Sequence, residues 1–355
     1  MFDTWVLRRP TFFVLPTLVI LLAILTSSFP SSVGGSSMPP FPLSLAPSSL
    51  TTTLKGCFPR LFSTISTSAV PRQQQSSTMT SKLPVYFFSH GGPDVQYKTS
   101  HPVYPVLQSL GREITSLQPK ALVVFSAHWQ SPSESLIQLN SAAGQTPLIY
   151  DFYGFPPEFY QAAFPSEGNP QLASRILSLL SEAGIQAQGV SRGIDHGVFS
   201  GFNVAFDPKE NPLHCPLVQV SLFASEDPDA HYRLGQAVQT LREEGVVMIG
   251  TGMTVHNLRD MRFAHGSSTP LPYSVSFDNA LKEAVEVDPK ARQEKMREVT
   301  KRPDARQAHP WMDHLMPVYV AAGAGGEDKG KQIWTLQEAS FAWAQYRFGE
   351  LPSEE

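Results

Sequence analysis

The stretch "KALVVFSAHWQS", residues 120–131, decides the reading of the fold. Its β-branched and aromatic residues form an unbroken apolar run instead of an alternating one. That pattern predicts a strand over 120–126 buried on both faces. The run ends abruptly at His128 and Trp129. A histidine closing a buried strand is either a packed, hydrogen-bonded residue or one that holds a ligand.

Outward from this stretch the pattern repeats. "LPVYFFS" (83–89), "PLVQVSL" (216–222) and "VVMIGTG" (246–252) read as strands, with "QIWTLQ" as a last one near the C-terminus. Between them apolar residues fall at helical spacing. Leu107, Leu110, Ile114 and Leu117 form one stripe, and Leu234, Val238 and Leu241 another. Leu172, Ile176, Leu179 and Leu180 share a helix that should end near Gly184. Residues 275–299 read as one long helix whose charge run is a solvated face. Strands alternating with helices predict an α/β fold over 83–350 as a single domain, with 351–355 a tail. Its central sheet should be largely parallel or mixed and covered by helices on both faces.

Residues 1–82 differ in kind. "LRRPTFFVLPTLVILLAIL" sets two arginines before an apolar segment, residues 12–25. That is shorter than the roughly 20 residues of a spanning helix and fits either a targeting signal or anchor, or an upstream extension with little role. Any membrane contact is expected through residues 12–25 alone. The Ser/Thr/Pro-rich stretch up to residue 81 lacks periodicity and reads as disordered. Met79 stands where the folded part would begin. One acid and six bases give residues 1–82 a net charge of +5, so the remaining 273 residues carry −9 of the total −4. An acidic body without a basic run argues against nucleic acid as a partner. The body has a single cysteine, Cys215, and the chain no N-x-S/T sequon, which fits a reducing, cytoplasmic setting for the folded domain.

The ten histidines carry the functional signal by their positions. His90, His128 and His256 each follow a predicted strand, at the carboxyl edge where open α/β sheets build their sites. "AHPWMDHLMP" adds His309 and His314. Pro310 suits a first helical position, so His309 is expected at an N-cap, with Pro317 kinking the helix that follows. Imidazoles converging without cysteine suit Zn, Fe, Cu or Ni. HExxH, GxSxG, GxGxxG and a phosphate loop are all absent. "YDFYGFPPEFY" (150–160) packs six aromatics, either a core loop or an aromatic wall for a flat substrate. Tyr153 of this loop and His309 are the candidates for substrate contact. "RGIDHG" (192–197) reads as a tight turn presenting Asp195 and His196.

Taken in order, "SHGGP", "SAHW", "DFYGFP", "IDHG", "VHNLR" and "HPWMDHLMP" resemble the DOPA-dioxygenase-type group of the class III extradiol ring-cleavage dioxygenases, over roughly residues 83–350. The resemblance implies one divalent metal ion, Fe(II) for ring cleavage and Zn(II) in some preparations. It implies His90, His128 and His314 as ligands, the third histidine standing where other class III members use glutamate. It places His256 as an acid/base residue beside the metal and His196 in the catalytic pocket. The implied partners are a small aromatic diol, a catechol such as DOPA, and O₂, giving a muconic semialdehyde-type product. The same three histidines could also serve a zinc-dependent hydrolase or a non-enzymatic metal-binding relative.

Overall fold

The computed structural model describes residues 82–264 and 266–352. The expectations for residues 1–81 therefore lie outside the described residues. Among these residues no helix is long and apolar enough to cross a membrane.

Eight strands build one mixed sheet. They are β1 (Val85–Ser89), β2 (Ala121–Gln130), β3 (Leu136–Asn140), β4 (Gln186–Val190), β5 (Leu217–Leu222), β6 (Val246–Gly252), β7 (Gly330–Trp334) and β8 (Gln345–Phe348). Their order across the sheet is β7-β8-β1-β6-β2-β5-β3-β4. The centre, β1-β6-β2-β5, is parallel, and β8 and β3 run antiparallel beside it. A separate small antiparallel sheet joins Val255–His256, Phe341–Ala342 and Gln337–Glu338.

Helices cover both faces, which is why the central strands are apolar throughout. The sheet's two-residue period sorts side chains into two cores. Val85, Phe87, Val123 and Phe125 pack with α2 (Pro170–Glu182), α4 (Pro228–Val238), α5 (Pro272–Glu286) and α7 (Met316–Gly325). Tyr86, Phe88, Leu122 and Val124 face the other way, onto α1 (Val103–Ser116) and α3 (His196–Ala205). The fold class is the one the sequence predicts.

Several local expectations are corrected. The strand expected over 120–126 continues through His128 to Gln130. The charged segment 275–299 is not one helix. It breaks at Val287–Asp288, and α6 (Pro289–Val299) starts afresh. Pro289 cannot donate to a continuing helix and disfavours helical backbone before it. The Asp288 side chain accepts from the Lys290 amide at 2.9 Å and so starts the new helix. The same device, an acid or amide followed by proline, opens α2 at Asn169–Pro170 and α4 at Asp227–Pro228. His309 is not an N-cap. It closes the short helix Ala305–Ala308, and α7 begins later with Pro317 in its first turn, so no kink arises. The "RGIDHG" segment is no exposed turn. Ile194–Asp195 form a short strand and His196 starts α3. Strands β3 and β4 and helix α3 carried too weak a pattern to be expected from the sequence.

Candidate active site

Strands β1, β6 and β2 are adjacent and parallel, so their carboxyl ends share one edge. His90 directly follows β1, and its amide donates to the Gly252 carbonyl at the end of β6 (3.0 Å). His128 lies where β2 loses register with β5: Phe125 pairs with Val220 but Gln130 with Leu222. Such irregularities re-aim side chains at sheet edges. The His128 amide, freed from the ladder, donates to Ser126 Oγ at 3.2 Å. His314 comes from the turn before α7, and its carbonyl accepts from the Met253 amide at 2.9 Å. A Cβ on Gly252 would lie 2.2 Å from that carbonyl, so only glycine lets the His314 turn settle on β6.

The three imidazoles are tethered alike, each through Nδ1. His90 Nδ1 contacts the Gly91 carbonyl at 2.5 Å, His128 Nδ1 the Asp151 carboxylate at 3.0 Å and His314 Nδ1 the Asp313 carboxylate at 3.0 Å. Each Nδ1–H is thereby committed to an acceptor, which leaves Nε2 as a lone-pair donor. One ligand atom from each residue lies within 4.8 Å of the other two. His128 Nε2 and His314 Nε2 are 3.2 Å apart, and His90 Nε2 is buried with no hydrogen-bond partner. Burial, reinforced by the facing imidazoles, lowers His90 and His314 well below the ordinary histidine value. Burial opposes the charged form of His128, but its hydrogen bond to Asp151 together with the charges of Asp195, Asp151 and Asp313 outweighs this and raises it. Converging imidazole nitrogens with an orphaned one among them fit one divalent ion, and no thiolate lies among the described cavity-lining residues to favour a softer one.

Two more histidines border this point. His196 Nδ1 contacts Asp151 Oδ1 at 2.8 Å, and its ring centroid lies 4.0 Å from that of His128. His256 stacks on His314 with centroids 3.7 Å apart and planes 10° from parallel. Burial is the main cause that lowers both. Asp151 thus serves two imidazoles. Burial would raise its carboxyl, yet the hydrogen bonds from His128 and His196 hold it well below the usual carboxylate range.

A second carboxylate braces His128 from behind. Buried Asp195 accepts from Ser126 Oγ at 2.7 Å, Gln219 Nε2 at 2.5 Å and Arg192 Nη1 at 2.9 Å. The Arg192 guanidinium lies over the Trp129 ring, 4.5 Å from its centroid. Trp129 therefore packs behind the strand. Of these bracing residues, Asp151 and Asp195 carried only a weak signal, one acid in an aromatic loop and one beside a histidine.

The site opens into a cavity of about 620 Å³, walled by Phe152, Phe341, Met253 and Trp343 among others. Tyr153 stands at its rim, 92% exposed. His309 does not line the cavity. It is fully buried, its Nε2 2.9 Å from the Thr254 carbonyl and its ring against Phe277.

Comparison with known proteins finds relatives over most of the chain. The family model described as the catalytic LigB subunit of aromatic ring-opening dioxygenase matches residues 78–348. A 4,5-DOPA dioxygenase extradiol of Beta vulgaris is 33% identical over 258 residues, 70% of this chain and 89% of that protein. A 4,5-DOPA dioxygenase extradiol-like protein of Schizosaccharomyces pombe is 34% identical, covering 74% of this chain and 91% of its own. A crystal structure of an uncharacterized Escherichia coli K12 protein shares the fold with a TM-score of 0.61 at 24% identity, over 75% of this chain and all of that one.

Proposed function

The chain belongs to the LigB-type family of aromatic ring-opening dioxygenases, and on that premise we propose that it cleaves a DOPA-like catechol in extradiol fashion, on one Fe(II) ion held by His90, His128 and His314. The observation that carries the reading is the convergence of three imidazoles, each with Nδ1 occupied, beside two further histidines in an aromatic-walled cavity. When bound, the ion would lower the pKa of a catechol hydroxyl and hold catechol and O₂ side by side.

The chain's own residues supply the rest. His196 keeps Nδ1 on Asp151, so its Nε2 is free to take a hydroxyl proton. His256, kept neutral by burial and stacked on His314, can take a proton and return it later in the reaction. Phe152, Phe341 and Trp343 give a flat ring apolar walls and exclude water from it. The printed names of the Beta vulgaris and Schizosaccharomyces pombe relatives support DOPA as the type of substrate.

The test loads the purified protein with ferrous iron under anaerobic conditions, then admits O₂ with a panel of catechols. O₂ uptake matched by a yellow ring-opened product is expected. Zinc-dependent ester or amide hydrolysis with no O₂ uptake from the iron-loaded protein would overturn the reading in favour of a hydrolase. His128→Ala should carry no ion by elemental analysis, and full metal retention would remove His128 from the ligand set.

A further inference from the structure

Three cavity-lining residues stand in one row across the small antiparallel sheet. His256 pairs with Phe341, and Phe341 pairs with Glu338. Residues directly opposite in antiparallel strands project to the same face. Two strand spacings make the row about 10 Å long. An imidazole, an aromatic ring and a carboxylate therefore follow one another along a single wall of the cavity. The His256 and Phe341 rings have centroids 5.6 Å apart. The two-residue turn between Glu338 and Phe341 is fixed on both sides. The Ala339 carbonyl accepts from the Leu271 amide at 2.9 Å, and Ser340 Oγ donates to the Asn257 carbonyl at 2.7 Å.

The charge on this wall is unbalanced. Glu338 accepts from His101 Nε2 at 3.2 Å, but His101 Nδ1 itself accepts from the Val103 amide at 3.2 Å. An imidazole that donates at one nitrogen and accepts at the other is neutral. His101 therefore does not cancel the Glu338 charge, although Lys98 also acts on it without forming an ion pair with it. Lys98 is the one lysine or arginine among the described cavity-lining residues, and it is paired with Asp94 at 2.5 Å. Asp94, Lys98 and Glu338 together leave one negative charge. Among the described cavity-lining residues a substrate carboxylate would meet no unpaired cation, whereas an ammonium would meet Glu338.

We propose that Glu338 is the specificity-determining residue that selects catechols whose side chain ends in an ammonium group. The order hydroxyl, ring, ammonium in such a molecule matches the order His256, Phe341, Glu338 along the wall. The cavity of about 620 Å³ leaves room for that side chain beyond the ring. The inference rests on the ring-opening reading of the same site.

The experiment measures kcat and KM of the iron-loaded wild type, Glu338→Gln and Glu338→Lys on three probes: dopamine, unsubstituted catechol and 3,4-dihydroxyphenylacetate. In Glu338→Gln the loss of kcat/KM on dopamine should exceed that on catechol by about 10- to 100-fold, the weight of a charged hydrogen bond, and should fall on KM. Glu338→Lys should move the preference toward 3,4-dihydroxyphenylacetate. Comparison with catechol cancels any general damage to the site. Equal losses on dopamine and catechol, or a wild type that prefers 3,4-dihydroxyphenylacetate, would overturn the assignment of Glu338 and leave the ring-opening reading standing. No turnover of any probe by the wild type would overturn both.

Discussion

Asp151 is the residue that ties two of the site's imidazoles together. One oxygen contacts His128 Nδ1, and the other takes both the backbone amide and Nδ1 of His196. An asparagine there must turn a donor toward one of these donors. Asp151→Asn is expected to weaken metal binding about 10- to 100-fold, the usual effect of losing such a partner behind a ligand. Competition with a chromophoric chelator measures it, and an unchanged affinity would refute the orienting role. His256 makes the opposite case. His256→Ala should keep the ion by elemental analysis yet lower turnover about 10²- to 10⁴-fold. The sequence offered the histidines because their residue type and their place at strand ends are local facts. Asp151 could not be picked out that way. It lies in a loop 23 residues after His128 and 45 before His196, and only packing joins the three.

At the scale of elements, glycine governs how closely helices and strands approach. α4 crosses α7 with Gly235 against the Val320 carbonyl and Gly323 against the Tyr232 carbonyl. An added Cβ at either would lie 2.0 Å from that oxygen. Both contacts are backbone, which cannot swing aside as a side chain could. Gly235→Ala is therefore expected to destabilise the fold by about 3 kcal/mol, the upper end for overpacking. A denaturant melt showing a change below about 0.5 kcal/mol, the range of neutral surface substitutions, would contradict it. Periodicity exposed α1, α2 and α4 because each buries one stripe on the sheet. The charge run over 275–299 misled, because it continues across a helix break set by Pro289. Gln186–Val190 passed unnoticed because it is a mostly exposed edge strand with no apolar run.

The molecule as a whole buries ionisable groups away from the site, and these make its stability depend on pH. His231 in α4 is fully buried, its Nδ1 on the Asp227 carbonyl at 2.8 Å, and burial lowers it to about 4. Above the unfolded value near 6.5 both states are neutral and the group adds no pH dependence. Below it the unfolded chain takes a proton that the folded chain refuses, so stability falls as pH drops from 6.5 to about 4. The expected loss is about 3 kcal/mol. Urea melts of wild type and His231→Gln at pH 7 and pH 4.5 measure it, and equal acid losses in the two proteins would refute the attribution. The sequence by itself determined which segments are buried, the α/β class and the supply of imidazoles at strand ends, because burial and period are written in neighbouring residues. The tertiary structure decided the strand order that puts β1, β6 and β2 side by side. It also brought His314 to His128 across 186 residues and set Glu338 in a row with His256. Those adjacencies follow from packing between distant parts of the chain, which no local pattern encodes.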